Sequence, residues 1–199
     1  MYLSDNVNIA NLWASFNNEQ KADAFASFYK SLYGKLYAYS INLGVNEDAA
    51  KDIIQDLFVK LYTHPSLIKN IDTIDSFLFV SVRNSVINWQ KRSNREQSFP
   101  EKETFEFAYT VEQTTIEDEE ERKLIQEKID KIMSVLTPRQ REIIYLRFLH
   151  QMRYDEIATI MGLSEQSARN LAHRSIKKVQ ASYNVDIYTL LLLLILFLK

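Results

Sequence analysis

Apolar residues recur every three or four positions through most of this 199-residue chain, which is the spacing of one face of an α-helix. The pattern predicts helices at about residues 22–41, 47–62, 76–92, 122–136 and 138–148, followed by two short helices within 154–178. Only three glycines and three prolines occur, so few positions suit the tight turns of β-structure. The chain is therefore predicted to be all-α, with two small helical domains.

Residues 154–178 have the pattern of a helix-turn-helix. Ile157, Ala158 and Met161 give the first short helix an apolar face, and Gly162 stands where the chain must turn sharply. Ser164 offers a hydroxyl to cap the second helix, whose inward positions are Ala168, Leu171 and Ala172. The outward positions hold side chains that suit base edges and phosphates in a major groove: Glu165, Gln166, Arg169, Asn170, His173 and Arg174. A plain helical hairpin with a polar surface is the alternative, but the combination favours DNA binding.

The net charge of −2 hides a strong separation of charge along the chain. Residues 1–95 carry +1, residues 96–121 carry ten acids and one lysine, and residues 122–183 carry +6. A like-charged run tends to stay extended and solvated, so residues 96–121 are predicted to be a flexible acidic linker between a domain at 1–95 and a basic domain at 122–183. The alternative is a strand-like acidic tether that imitates nucleic acid.

The sequence gives little support to an enzyme. It has no cysteine, and His64, His150 and His173 lack the spacing of metal ligands. It has no phosphate-binding glycine loop and no nucleophile motif. We therefore predict no catalytic residue, no metal and no cofactor. The absence of cysteine and of a signal sequence favours a cytoplasmic protein.

The C-terminal tail, residues 184–199, contains an unbroken apolar run at 190–198. Nine residues are too few for a membrane-spanning helix, which needs about twenty. The tail is predicted to contact a protein partner or the second domain. A segment that lies in a membrane interface is the less favoured alternative, because the tail lacks a cationic amphipathic face.

Four segments in a fixed order resemble sigma factors of the extracytoplasmic-function (ECF) type, the small two-domain branch of the sigma-70 family. They are DAAKDIIQDLFVKLY (48–62), FLFVSVRNSVINWQKR (77–92), LTPRQREIIYLRF (136–148) and YDEIATIMGLSEQSARNLAHR (154–174). The resemblance covers about residues 20–180, and the segments are similar to those of Bacteroidetes-like members. It implies a bacterial subunit that directs core RNA polymerase to promoters and helps open the −10 region. The implied partners are core RNA polymerase, promoter DNA and an anti-sigma factor.

The resemblance also implies three sets of contact residues. Those for core polymerase are Asp48, Asp52, Gln55 and Asp56. Those for the −10 element are Lys69, Asn70, Arg83, Asn84, Asn88, Lys91 and Arg92. Those for the −35 element are Ser164, Gln166, Ser167, Arg169, Asn170, His173, Arg174 and Lys177. Without the resemblance, a solvated helix face would be the simplest interpretation of the first set.

Two other functional classes remain open on the sequence. One is a stand-alone helix-turn-helix regulator whose N-terminal domain senses a ligand or dimerises, and such a protein is expected to bind paired half-sites. The other is a purely protein-binding helical module, which would leave the polar residues from Arg169 to Arg174 unexplained.

Overall fold

The computed structural model describes residues 21–68, 73–97, 104–107 and 119–183. The helices are α1 (Lys21–Asn42), α2 (Glu47–Thr63), a 3₁₀ turn (Pro65–Ile68), α3 (Ile74–Gln97), α4 (Glu119–Ser134), α5 (Pro138–Ile144), a π-helical turn (Tyr145–Leu149), α6 (Tyr154–Met161) and α7 (Glu165–Tyr183). The described residues contain no strand, so the all-α prediction is confirmed. The chain divides into two compact units, residues 1–101 and 102–199.

The first unit is a bundle in which α1, α2 and α3 pack on one another. Its core contains fully buried apolar side chains from all three helices, among them Leu32, Ile54 and Leu78. Asn46 begins α2 as an N-cap, since its Oδ1 accepts a hydrogen bond of 2.9 Å from the Ala49 N–H. These contacts fix which face of α2 is buried and which is left to solvent.

In the second unit, helix α5 begins with a capping box formed by Thr137 and Gln140. The Thr137 hydroxyl accepts from the Gln140 N–H at 3.3 Å, and the Gln140 Oε1 accepts from the Thr137 N–H at 3.0 Å. Pro138 occupies the first helical position, where its missing N–H is not needed. The predicted helix at 138–148 continues through the π-helical turn, in which Tyr145 and Leu146 are buried.

The predicted linker differs from the structure at its described residues. Helix α3 continues to Gln97 and α4 begins at Glu119, so helix enters both ends of the segment. Within it, residues 104–107 belong to the second unit and contact Arg141 and Tyr145, and Phe105 is only 1% exposed. The Phe105 ring lies 5.4 Å from that of Tyr145, and the Phe105 carbonyl accepts a hydrogen bond of 3.2 Å from Arg141 Nη1. Burial of this aromatic ring outweighs the tendency of its acidic surroundings to stay solvated.

None of the described helices is long and apolar enough to cross a membrane. The apolar tail at 184–199 lies outside the described residues.

Gly162 ends α6 in the left-handed conformation, with φ +62° and ψ +43°, as the sequence predicts for the turn. The Leu163 N–H then donates to the Ala158 carbonyl at 2.8 Å and closes the helix end. An L-residue pays for this conformation because its Cβ crowds the next carbonyl, whereas glycine does not.

Gly162→Ala and Gly34→Ala should change stability in opposite directions. A Cβ at either position would meet no atom within 4 Å, so backbone conformation alone decides the effect. We expect Gly162→Ala to destabilise the second unit by about 1–2 kcal/mol. Gly34 lies inside α1, where alanine should stabilise the first unit by about 0.5–1 kcal/mol.

The two effects are separable in the full chain. Trp89 lies on α3 and residues 102–199 contain no tryptophan, so denaturant unfolding followed by tryptophan fluorescence measures Gly34→Ala. Amide hydrogen exchange in α6 and α7 measures Gly162→Ala. A stabilising Gly162→Ala would contradict the left-handed turn.

Candidate nucleic-acid interface

Helices α6 and α7 pack closely enough to form the predicted helix-turn-helix. Ile157 on α6 and Ala168 and Ala172 on α7 are fully buried at their contact, and the small alanines let the two backbones approach. The Ser164 hydroxyl accepts a hydrogen bond of 3.1 Å from the Ser167 N–H and caps α7. Leu171, the third predicted inward residue, is half-buried.

The predicted −35 residues share one exposed surface, here called the recognition face. Every member is exposed: Ser164, Gln166, Ser167, Arg169, Asn170, His173, Arg174 and Lys177. From Gln166 to Lys177 the face runs about 16 Å along the helix axis, somewhat more than the width of a B-DNA major groove of about 12 Å. Its amides and cations are the donors that read base edges and bind phosphates.

Neighbouring side chains on the recognition face hold one another across one helical turn. Gln166 Nε2 donates to Asn170 Oδ1 at 3.0 Å, and Arg169 Nε donates to Glu165 Oε1 at 3.2 Å. Both pairs lie on exposed surface, where such contacts contribute little to stability and are easily exchanged for a ligand. The side chains of the recognition face therefore hydrogen-bond to one another and can exchange those bonds for contacts with a ligand.

Beside the recognition face lies an open depression of about 400 Å³ that sequence reasoning missed. Its lining consists of Arg147, Arg153, Tyr154, Asp155, Glu165 and Arg169. The guanidinium carbons of Arg147 and Arg169 each lie 4.8 Å from the centroid of the Tyr154 ring. Arg153 forms an ion pair with Asp155, and this hydrogen bond lowers the pKa of the Asp155 carboxyl below its ordinary value. The contact between Arg147 and Tyr154 could not be predicted from the sequence, because the two residues are not on one helix with regular spacing.

In the first unit, the predicted polymerase contacts lie on one side of α2, here called the acidic face. All four residues, Asp48, Asp52, Gln55 and Asp56, are exposed. The opposite side of α2 buries Ala50, Ile53 and Ile54. Since the acidic face has no role in the core of its own unit, it is available to a partner.

The predicted −10 contacts fall into two groups. Asn84, Asn88 and Arg92 follow one another at intervals of four on α3 and are exposed, as is Lys91, while Arg83 is half-buried. Lys69 and Asn70 lie outside the described residues. The structure therefore brings the α3 members together on one part of the helix surface. Within the described part of the chain, no cluster of His, Asp or Glu is arranged to hold a metal ion.

The chain is similar to known sigma factors over parts of both units. Residues 126–179 match the family model for region 4 of sigma-70. The ECF RNA polymerase sigma factor SigM of Bacillus subtilis is 23% identical over 158 residues, covering 78% of this chain and 93% of the relative. The RNA polymerase sigma factor YlaC of the same species is 26% identical over 156 residues, which is 77% of this chain and 88% of the relative.

Two solved structures share the fold. The first is the sigma factor RpoE in complex with the anti-sigma factor NepR from Bartonella quintana, with a TM-score of 0.55 and 21% identity over 81% of this chain and 98% of that chain. The second is CnrH in complex with the cytosolic domain of CnrY, with a TM-score of 0.54 and 17% identity over 92% of this chain and 99% of that one. Both alignments extend well beyond the region-4 match.

Proposed function

We infer that this chain belongs to the extracytoplasmic-function branch of the sigma-70 family, and the roles of its two units follow from that premise. As a sigma factor, it directs core RNA polymerase to specific promoters and helps open the −10 region. The observation that carries this conclusion is the helix-turn-helix of α6 and α7, which lies within the region-4 match except for the last four residues of α7 and presents an exposed polar face. The function of a sigma factor is to recruit the polymerase rather than to catalyse a reaction.

We propose that the recognition face binds the −35 duplex. Helix α7 enters the major groove with its N-terminal residues, so Gln166, Arg169 and Asn170 lie nearest the base edges. Arg174 and Lys177, further along the helix, lie toward the phosphates and set the register. The net charge of +6 over residues 122–183 supports this assignment, because phosphate neutralisation supplies much of the affinity of a DNA-binding domain.

We propose that the first unit binds core polymerase through the acidic face and the −10 strand through α3. The exposure of all four acidic-face residues supports the first assignment. Asn84, Asn88 and Arg92 combine amide and cationic donors on one helix side, which suits contacts to a single strand. The loop residues Lys69 and Asn70 belong to the same proposal on the strength of the sequence resemblance alone.

We propose further that an anti-sigma factor sequesters the protein in the cytoplasm, as the solved complex of RpoE with NepR suggests by analogy. The assignment to Bacteroidetes-like members rests on sequence resemblance. So does the role of the tail at 184–199 as a protein-contact or membrane-interface segment. No cofactor is needed for any of these roles.

Co-purification with core RNA polymerase, followed by run-off transcription on genomic DNA, tests the proposed function. Stable association and new, discrete start sites are expected, and those start sites identify the promoters. Failure to associate, together with specific operator binding by the free chain, would instead establish a stand-alone helix-turn-helix regulator.

Arg174→Ala should weaken promoter binding and transcription while leaving polymerase binding intact. Arg174 is exposed on α7, so its loss removes a DNA contact without opening the core. Because Arg174 lies toward the phosphates, promoter affinity should fall by a similar factor for every −35 sequence, and the slope of log affinity against log salt concentration should become shallower by about 1. Lys123→Ala is the matched control, since it removes an exposed cation of the same unit from α4. An equal loss of promoter and polymerase binding would contradict the assignment of Arg174 to DNA.

A further inference from the structure

Two arginines from different segments of the second unit contact the ring of Tyr154 on a third segment. Tyr154 is the first residue of α6, Arg147 belongs to the π-helical turn and Arg169 lies on α7. Both guanidinium carbons lie 4.8 Å from the ring centroid, within the distance of about 6 Å at which a cation is attracted to an aromatic face. Two cations at one ring repel each other, and the carboxylates of Asp155 and Glu165 in the same depression offset part of that repulsion.

Arg169 keeps hydrogen-bond donors available in this arrangement. Its Nε and Nη2 donate to one oxygen of Glu165, at 3.2 and 2.5 Å. A guanidinium has five N–H groups, and contact with an aromatic ring engages its face rather than its edge. Neither Nη1 hydrogen takes part in these two bonds, so the Nη1 and Nη2 edge can still donate to an acceptor pair on DNA.

We propose that Tyr154 is a positioning residue for promoter recognition, because it holds the Arg169 guanidinium in place beside the first turn of α7. This inference rests on the proposed role of Arg169 at the −35 element. A solvated arginine samples many rotamers and loses that freedom when it binds DNA. A guanidinium already held on the ring by cation–π attraction, with Glu165 at its far edge, loses less, so the duplex is bound more tightly.

Arg147 is held in the same cluster by a second contact, since its Nη1 donates to the Met152 carbonyl at 2.7 Å. That bond ties the π-helical turn to the chain just before α6. The Tyr154 ring therefore contacts one arginine from the π-helical turn, which is also bound to the backbone, and one exposed arginine from α7. Only Arg169 belongs to the recognition face, so the effect of Tyr154 on DNA should pass through Arg169.

A double-mutant cycle on the complete chain, bound to core polymerase, tests the inference. The probe is a promoter duplex recovered by the run-off experiment, and its Kd is measured at one fixed salt concentration for the wild type, Tyr154→Leu, Arg169→Ala and the double variant. Tyr154→Leu keeps an apolar side chain but removes the aromatic face, and we expect about two- to five-fold weaker binding. In the Arg169→Ala background the same change should have no effect, because the cation that it positions is gone.

Tyr154→Phe serves as the conservative variant, since it keeps the ring and removes only the hydroxyl. It should bind the duplex as the wild type does. Equal weakening by Tyr154→Leu in both backgrounds, or a Tyr154→Phe variant as weak as Tyr154→Leu, would overturn the positioning role and leave Tyr154 as a packing residue.

The cycle also separates this inference from the proposed function. If Arg174→Ala weakens binding but Arg169→Ala does not, the second unit still binds the −35 element and the inference about Tyr154 is wrong. If the wild-type chain neither joins core polymerase nor selects a promoter, the proposed function fails and the inference falls with it. Hydrogen exchange in α6 and α7 confirms that each variant is folded.

Discussion

Phe105→Ala should lower the free energy of unfolding of the second unit by about 3 kcal/mol, the cost typical of removing a buried aromatic side chain. Phe105 lies in the acidic segment, yet it is only 1% exposed and its ring packs 5.4 Å from that of Tyr145. Arg141 Nη1 fixes the same position by donating to the Phe105 carbonyl at 3.2 Å. The variant loses the apolar anchor and weakens the hydrogen bond that depends on it.

Amide hydrogen exchange in α5 reports this loss directly, because α5 and the turn that follows it contain Arg141 and Tyr145. Phe107→Ala is the matched control. Its ring lies 5.9 Å from that of Tyr145 but is only half-buried, so a smaller effect is expected. Tryptophan fluorescence, which follows the first unit, should not change for either variant. Unaltered exchange in α5 would show that residues 104–107 do not contribute to the second unit in solution.

The position of Phe105 also shows where sequence reasoning stopped. Charge and proline content predict a solvated linker at 96–121, and a single aromatic residue has no periodicity that reveals a partner. The Phe105 ring packs on Tyr145, and the Phe105 carbonyl accepts a hydrogen bond from Arg141. Both partners are some forty residues away in the sequence. Only the folded second unit brings them together.

The helix-turn-helix, by contrast, was predicted from local sequence features. Gly162 and Ser164 each act within four residues, and the structure confirms both. Apolar period also predicted which face of α7 is buried, since Ala168 and Ala172 are fully buried as expected. The Tyr154 cluster was missed because its ring and its two arginines come from three different segments.

Local sequence patterns and contacts between distant residues therefore differ in how well a single sequence predicts them. Caps, turns and helical periods depend on neighbours in sequence, so one chain suffices to find them. The three contact sets needed a family resemblance as well, because exposure alone does not distinguish a partner surface from a solvated one. The acidic face illustrates this, since its four polar residues take no part in the described core of the first unit.

The double variant Asp52→Lys and Asp56→Lys should weaken association with core polymerase by about tenfold or more, whereas stability of the first unit should change little. Both carboxylates are exposed on α2, so their replacement removes no packing. It places like charge against whatever basic surface the acidic face meets, which costs more than simple loss of attraction. Affinity for core polymerase, measured with the complete chain, checks the prediction.

Asp23→Lys is the control for the acidic face, because Asp23 is an exposed acid of the same unit on α1. It should leave polymerase affinity near that of the wild type. The defect of the double variant should also depend on salt, since added ions screen exposed charges over about 8–10 Å near physiological ionic strength. A loss that is independent of salt, or one that Asp23→Lys reproduces, would mean that net charge or fold, rather than the acidic face, determines binding. A selective and salt-sensitive loss would identify α2 as the surface through which the chain binds core polymerase.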